Sequence, residues 1–243
     1  MKLTVIGYWG AYPAQGSATS CYMIEKDGFT CLLDMGSGAL SRLQAYKQVQ
    51  DIDAIVISHY HNDHIADVGV LQYSWLVQNS LHNTNKVLPI HGHMEDEDGF
   101  NKLTHHYTKG IAFDPEESLE VGPFTIRFMK TNHPVPCYAM RVSDGEKDFV
   151  YTADTSYKEE FISFSEGADL LVTDCNFYED QDGSYAGHMN SKQCAEIAQK
   201  AQVPELILSH HPHFGDRQNL VTQAKKYYDG EVTLASEGLT WGE

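Results

Sequence analysis

Short apolar runs with period two alternate along the chain with turn residues, and longer stretches switch to the helical period. Leu3–Ile6 reads as a strand, and Cys21–Glu25 and Thr30–Asp34 flank Lys26-Asp27-Gly28, the signature of a hairpin. Ala54–Ser58, with the core Ala-Ile-Val-Ile, is a continuous apolar run of the kind buried on both faces. Beyond it the period changes: Val68, Leu71, Trp75 and Leu76 recur at i, i+3, i+7 and i+8 and predict one face of a helix.

The second half repeats this mixture. Phe124, Ile126 and Phe128 alternate with Thr125 and Arg127, and Tyr138–Val142 and Asp148–Ala153 flank a second hairpin turn at Asp144-Gly145. Ala168–Thr173 predicts a buried strand. Ser191–Ala201 places Cys194, Ile197, Ala198 and Ala201 at helical spacing, with Asn190 and Gln193 forming a capping-box pattern ahead of them. Leu206–Ser209 follows as a strand, then a helix near Leu220–Tyr228 and a last strand near Glu231–Ala235. Residues 77–120 carry the weakest periodicity. No linker-like run and no internal repeat divides the 243 residues, which predicts one domain.

Composition narrows the function. With 17 Lys and Arg against 34 Asp and Glu the net charge is −17, a field that repels a phosphate backbone, so extended nucleic acid and anionic lipid are disfavoured as partners. The opening Met1–Gly7 turns at glycine before a signal-peptide core forms and no window approaches a membrane span, which predicts a cytoplasmic protein with no membrane partner. The five cysteines form no CxxC pair and sit in apolar stretches, as reduced core thiols do. A homodimer is compatible with the sequence.

Thirteen histidines are the unusual entry. His59-Tyr60-His61-Asn62-Asp63-His64 stands directly after the buried strand and before the helix, four candidate ligands within six residues. Imidazole and carboxylate bind divalent metals, and a strand-to-helix turn aims alternate side chains at neighbouring points, so a compact HxHxDH can serve two ions. On these residues the sequence resembles the metallo-β-lactamase superfamily along nearly its whole length. The resemblance implies an α/β fold, the αββα sandwich of two mixed sheets packed face to face with helices on both outer faces, as a single domain over residues 1–243.

It also implies the remaining ligands. His133 in Lys-Thr-Asn-His-Pro, Asp154 in Tyr-Thr-Ala-Asp-Thr and His210 after Leu-Ile-Leu-Ser match the later family motifs in order. His59, His61 and His133 would hold one ion, Asp63, His64 and His210 the other, and Asp154 would bridge them. Zinc is the expected metal, with manganese also suited to N and O ligands. Every one of these residues lies just past a strand end. His211 competes with His210 for the last position, and His210 is preferred as the first residue past the strand. Asp34 in Asp-Met-Gly matches an element whose carboxylate supports the ligands from behind, and the alternative reading is an aspartate closing a glycine turn.

His188 in Gly-His-Met-Asn lies 22 residues before His210 and resembles the Gly-His-Ser/Thr element of the ribonuclease Z-like branch, with Met189 in place of the hydroxyl residue. The intact HxHxDH sets the chain apart from the di-iron redox branch and from lactamase classes with altered ligands. The tRNA-processing members carry a basic arm, but only 33 residues separate Asp154 from His188 and none forms such an arm. The sequence therefore predicts a binuclear hydrolase acting through a metal-bridging hydroxide on a small or cyclic phosphodiester. The resemblance would set Asp63 and His188 at the reacting centre. A thioesterase or lactonase, or a tRNA 3′-processing endonuclease, is the alternative. Tyr8, Trp9 and Tyr12 either line the pocket mouth or pack the first strand.

Overall fold

In the computed structural model, which describes residues 1–243, β1 (Lys2–Gly7), β2 (Cys21–Lys26) and β3 (Phe29–Leu33) form an antiparallel meander. Its second turn is the expected one: Asp27 and Gly28 both take positive φ, 51° and 82°, as a two-residue hairpin loop requires. α1 (Ala39–Leu43) leads to β4 (Ala54–Val56), which pairs parallel to β3. A single helical turn, α2 (Asn62–Ile65), is followed by α3 (Val68–His82), whose inner face buries Val68, Leu71 and Trp75 as the spacing predicts. β5 (Leu88–Gly92), α4 (Glu97–Asn101) and β6 (Thr108–Ala112) occupy the stretch with weak periodicity. Pro89 and the polar His91 mask β5 in the sequence, although it pairs parallel to both β4 and β6.

β7 (Leu119–Val121), β8 (Phe124–Lys130), β9 (Tyr138–Ser143) and β10 (Asp148–Tyr151) then begin a second sheet. α5 (Glu160–Ser165), β11 (Leu170–Asp174), α6 (Ser191–Lys200), β12 (Glu205–Ser209), α7 (Gln218–Ala224) and β13 (Glu231–Leu234) continue it. α7 starts earlier and ends sooner than its apolar spacing suggests. The chain also adds a strand the pattern does not announce: β14 (Thr240–Gly242), three residues long with only Trp241 buried, pairs antiparallel to β1.

Each sheet has seven strands, in the orders β14-β1-β2-β3-β4-β5-β6 and β13-β12-β11-β10-β9-β8-β7, and each mixes antiparallel with parallel neighbours. The chain divides into two compact units, Met1–Asp114 with Val121–Pro123 and Ser236–Glu243, and Pro115–Glu120 with Phe124–Ala235. In the first, Ile6, Met23, Leu32 and Ile55 pack with Leu40, Leu43, Leu71 and Trp75. In the second, Val150, Leu171, Leu206 and Leu208 pack with Phe161, Cys194, Ile197 and Leu220. All five cysteines are buried and free, and burial pushes the Cys21 and Cys31 thiols up, out of the reactive range. No helix is long and apolar enough to cross a membrane.

Strand direction places the chemistry. In the first sheet β1, β3, β4 and β5 run the same way, so their C-terminal ends share one edge. In the second, β8, β10, β11 and β12 do the same. The carboxyl ends of such strands are where α/β sheets build sites, because rigid ladders there hand the chain over to loops. α6 is anchored near that edge by the predicted capping box: the Asn190 side chain accepts from the Gln193 N–H, and the Gln193 side chain accepts from the Asn190 N–H. Asn190 Nδ2 also donates to the Gln181 carbonyl. Replacing Asn190→Ala is expected to cost about 1–2 kcal/mol in chemical denaturation. An unchanged midpoint would show that the cap contributes nothing.

Candidate metal centre

Within the first unit, the chain past β3 and the chain past β4 are bound to each other before any side chain is considered. Met35 N–H donates to the His64 carbonyl at 2.8 Å, and Asp67 N–H donates to the Met35 carbonyl. Gly36 sits so close to this loop that an added Cβ would lie 2.0 Å from the Asp63 carbonyl oxygen, which accounts for glycine in the Asp-Met-Gly element. Asp34, fully buried, takes a positive φ of 61° and turns its carboxylate into the loop. It accepts from Ser58 N–H at 2.8 Å, from Ser58 Oγ at 2.8 Å and from His64 Nδ1 at 2.7 Å. Ser58 Oγ also lies 3.1 Å from His59 Nδ1.

The structure thereby brings His59, His61, Asp63 and His64 together. The His59 ring stands 4.8 Å from that of His61 and 4.1 Å from that of His64, centroid to centroid. Asp63 Oδ2 accepts from the Ala11 N–H at 2.8 Å, and Ala11 adopts a positive φ of 60° in doing so. The segment after β1 therefore reaches the site through its backbone. Of its aromatics, Trp9 is buried and stacks on Tyr8, while Tyr12 is exposed.

In the second unit, β8, β10, β11 and β12 deliver His133, Asp154, Asp174 and His210 to one edge. His133 Nδ1 lies 3.1 Å from the Gly187 carbonyl, and Gly187 has φ of 79° and no room for a Cβ, which would meet the His133 ring at 2.7 Å. Thr131 Oγ donates to the Asp154 carbonyl, and Asn132 N–H donates to Thr155 Oγ, so the His133 and Asp154 loops are fastened together. Asp154 follows Ala153, which is buried with φ of 51°, and His210 itself has φ of 53°. Left-handed backbone at non-glycine residues costs on the order of 1–3 kcal/mol and is found where a site demands a direction the strand would not give.

Asp174 was not among the expected residues, and it organises this half. Its Oδ2 accepts from His188 Nδ1 at 2.7 Å and from Thr155 N–H at 3.0 Å, and its Oδ1 lies 3.3 Å from His210 Nδ1. Burial works to raise the Asp174 carboxyl, but His188 and His210 overcome that and hold it below the usual range. Burial likewise works to lower His188, and the Asp174 carboxylate overcomes it, holding the ring above its ordinary value. Asn176 Nδ2 donates to the His210 carbonyl at 2.8 Å and steadies the strained residue. The signal for Asp174 was present: Leu-Leu-Val-Thr-Asp ends an apolar strand in a carboxylate, as the strands before Asp34 and Asp154 do. Nothing marks Ser58, Asn176 or the Ala11 backbone.

His210 and His211 part company. His210 turns Nε2 to within 3.3 Å of Asp154 Oδ1. His211 is fully buried and donates from Nε2 to the Leu208 carbonyl at 2.8 Å, and burial pushes its ring down to about 4, so it is a neutral core histidine.

Ring orientation tests whether these donors suit metal ions. The Gly187 carbonyl can only accept, so His133 Nδ1 carries the hydrogen and Nε2 the lone pair. That lone pair faces Asp154 Oδ2 at 3.9 Å. His64, with Nδ1 on Asp34, turns Nε2 toward Asp63 Oδ2 at 3.8 Å, and His210, with Nδ1 near Asp174, turns Nε2 toward Asp154. Three times a ring nitrogen is fixed by an acceptor behind it and its other nitrogen confronts a carboxylate. Lone pairs opposed in this way are stabilised by a cation between them, and protein acceptors behind the imidazole are the usual support of a metal site. The residues fit divalent ions with N and O preference.

Residues 30–211 match the family model described as "Beta-lactamase superfamily domain". The chain belongs to the metallo-β-lactamase superfamily, and its fold is that of the superfamily. It is 51% identical to the probable metallo-hydrolase YhfI of Bacillus subtilis over 242 residues, covering 99% of both chains. The crystal structure of that metallo-β-lactamase fold protein superposes with a TM-score of 0.98, covering 99% of this chain and 98% of the other. Ribonuclease Z of Haloarcula marismortui is 25% identical over 302 residues, 98% of this chain and 96% of its own. A diphosphatase from the PhnP family has the same fold, with a TM-score of 0.79 at 18% identity, covering 100% of this chain and 97% of that one.

Asp34 offers a direct check on the support argument. Asp34→Asn keeps the shape but puts an amide where His64 needs an acceptor, and metal affinity measured by chelator competition is expected to fall about 10–100-fold. Affinity equal to that of the wild type would show that the carboxylate is only structural.

Proposed function

We propose that the protein is a metal-dependent hydrolase with two divalent ions, zinc first, and that its substrate is a small or cyclic phosphodiester. In this reading His59, His61 and His133 hold one ion, Asp63, His64 and His210 the other, and Asp154 serves both. Divalent ions at these residues supply a nucleophile at neutral pH and offset the charge that develops on phosphoryl oxygens.

The observation that carries the phosphodiester reading is His188. Its ring lies 5.0 Å from that of His210 and 5.5 Å from that of His133, at the edge where the candidate ligands converge, yet its Nδ1 is given to Asp174. A histidine held by a buried carboxylate keeps its proton more firmly, and its Nε2 is left to deliver one. That is what an alkoxide leaving group needs: when the phosphorus–oxygen bond breaks, His188 gives the Nε2 proton to the departing oxygen, and Asp174 stabilises the charged ring beforehand. Asp63, whose Oδ2 accepts from the Ala11 N–H, takes its place in the reacting centre as a ligand. The relatives whose names state an activity point the same way, since a ribonuclease and a diphosphatase both break phosphorus–oxygen bonds. The net charge of −17 and the lack of a basic arm favour a compact substrate over tRNA.

Metal-loaded protein is expected to hydrolyse bis-(p-nitrophenyl) phosphate and cyclic nucleotides with kcat/KM well above any thioester or lactone. A thioester or lactone that outperformed every phosphodiester would give the site to acyl chemistry instead. His188→Ala is expected to retain its metal and lower kcat by roughly 10²–10⁴-fold on a ribose ester. The loss should be smaller on p-nitrophenyl esters, whose leaving group scarcely needs a proton. An equal small loss on both would make His188 a structural residue.

A further inference from the structure

In the second unit a row of rings leads from His188 out to solvent. Phe177 lies 6.4 Å from His188, centroid to centroid, with its plane tilted by 35° from the imidazole, and Tyr185 meets Phe177 edge to face at 6.4 Å. Both separations are those of interacting ring pairs. Phe177 is half-buried, whereas Tyr185 is 81% exposed, so most of its ring does nothing for the fold. The backbone holds the row in place. Phe177 N–H donates to the Met189 carbonyl at 3.2 Å, and the Phe177 carbonyl accepts from Ser191 N–H at 3.0 Å, which ties Phe177 to the chain just past His188. Between Asp182 and His188 the loop closes on itself: Ser184 N–H donates to Asp182 Oδ1, Ala186 and His188 N–H both donate to the Gly183 carbonyl, and Gly187 N–H donates to the Ser184 carbonyl. Gly183 leaves space for the Phe177 ring, since a Cβ there would lie 2.4 Å from it. One closed turn therefore displays both His188 and Tyr185, with the Phe177 ring against each. Order already present in the free protein lowers the entropy lost on binding.

Chemistry selects what this row holds. From Asp174 to Ser191 the sequence has no Lys or Arg, and the next cation, Lys192, lies over the Tyr227 ring. The same stretch carries the exposed Asp180 and Asp182. A row without cations cannot track a chain of phosphates, and carboxylates beside it repel a second one. What Phe177 and Tyr185 offer is ring surface, which stacks on a neutral planar group. His188 fixes where that group is attached. It gives its proton to the departing oxygen, so a ring held against Phe177 and Tyr185 belongs to the leaving alcohol. A nucleoside meets this description, because a single sugar separates its base from the ester oxygen.

We propose that Phe177 and Tyr185 are specificity residues that stack the base of a nucleoside whose hydroxyl is the leaving group. The proposal rests on the phosphodiester reading and on the role given there to His188. The probes are 3′,5′-cyclic AMP and the matching cyclic phosphate of methyl ribofuranoside, the same ester with a methoxy group in place of the base. Metal-loaded wild type should prefer cyclic AMP. Tyr185→Ala should raise KM for cyclic AMP about 10-fold, the loss of one stacked base, with kcat changed by less than about twofold. The ratio of kcat/KM for cyclic AMP to that for the base-less ester should fall by the same factor, and Phe177→Leu should lower it too. Tyr185→Trp should restore the ratio. The Tyr185→Ala melting curve should overlay that of the wild type, because so exposed a ring contributes little to packing. Calorimetry with AMP should show the same loss of affinity in Tyr185→Ala without any turnover. A wild type that handles both esters equally, or a Tyr185→Ala variant with unchanged ratio and AMP affinity, would overturn the platform and leave the phosphodiesterase standing. A protein that hydrolyses no phosphodiester would instead remove that reading, and this proposal with it.

Discussion

A buried carboxylate that claims one nitrogen of an imidazole decides what the other nitrogen can do. Asp34 does this for His64, and Asp174 does it for both His188 and His210. Removing such a carboxylate from water is costly, and the cost is offset only when its oxygens are filled with donors. Asp34 has three, from Ser58 and His64, and Asp174 has Thr155 beside its two rings. Both aspartates stand at the C-terminal ends of parallel strands, where the ladder fixes their position and the next residues are released to fold back over them. The strained backbone at Asp34, Ala153 and His210 belongs to the same economy of direction: a strand end points one way, the site requires another, and the packing around these buried residues holds the difference.

The two units use one device in different ways. In the first unit the carboxylate serves one candidate ligand, His64, and Asp63 is set by a backbone N–H from the chain after β1. In the second, Asp174 divides its two oxygens between His210 and His188. This holds the His188 ring at a distance fixed relative to His210, and it explains why the residue after His188 can be Met189 without loss of order: Met189 is fully buried in the second core, and the loop before it is pinned by Gly183 and Gly187. Function here rests on hydrogen bonds between neighbouring strand ends more than on the identity of the loop residue that follows.

Much of this was legible in the chain. The HxHxDH cluster is contiguous, and the family resemblance picked out Asp34, His133, Asp154 and His210, each of which follows an apolar run that reads as a strand. The hairpin at Asp27-Gly28 and the capping box at Asn190 were equally local. What stayed hidden depends on register or on backbone. Asp174 matters because β11 lies between β10 and β12 and sets Asp174 against Ser209, a relation no stretch of sequence displays. Ala11 contributes an N–H, which every residue but proline carries. β14 escaped because three residues with one buried side chain make no period. The helix α3, by contrast, was legible as a helix from its inner face.

The binuclear proposal rests on the buried carboxylates and oriented imidazoles that each unit holds in place. Elemental analysis of protein purified without chelators tests it most directly. The account predicts two equivalents of divalent metal per chain, with His64→Ala reduced toward one. A stoichiometry that remains at one in metal-replete conditions, unchanged by His64→Ala, would contradict it.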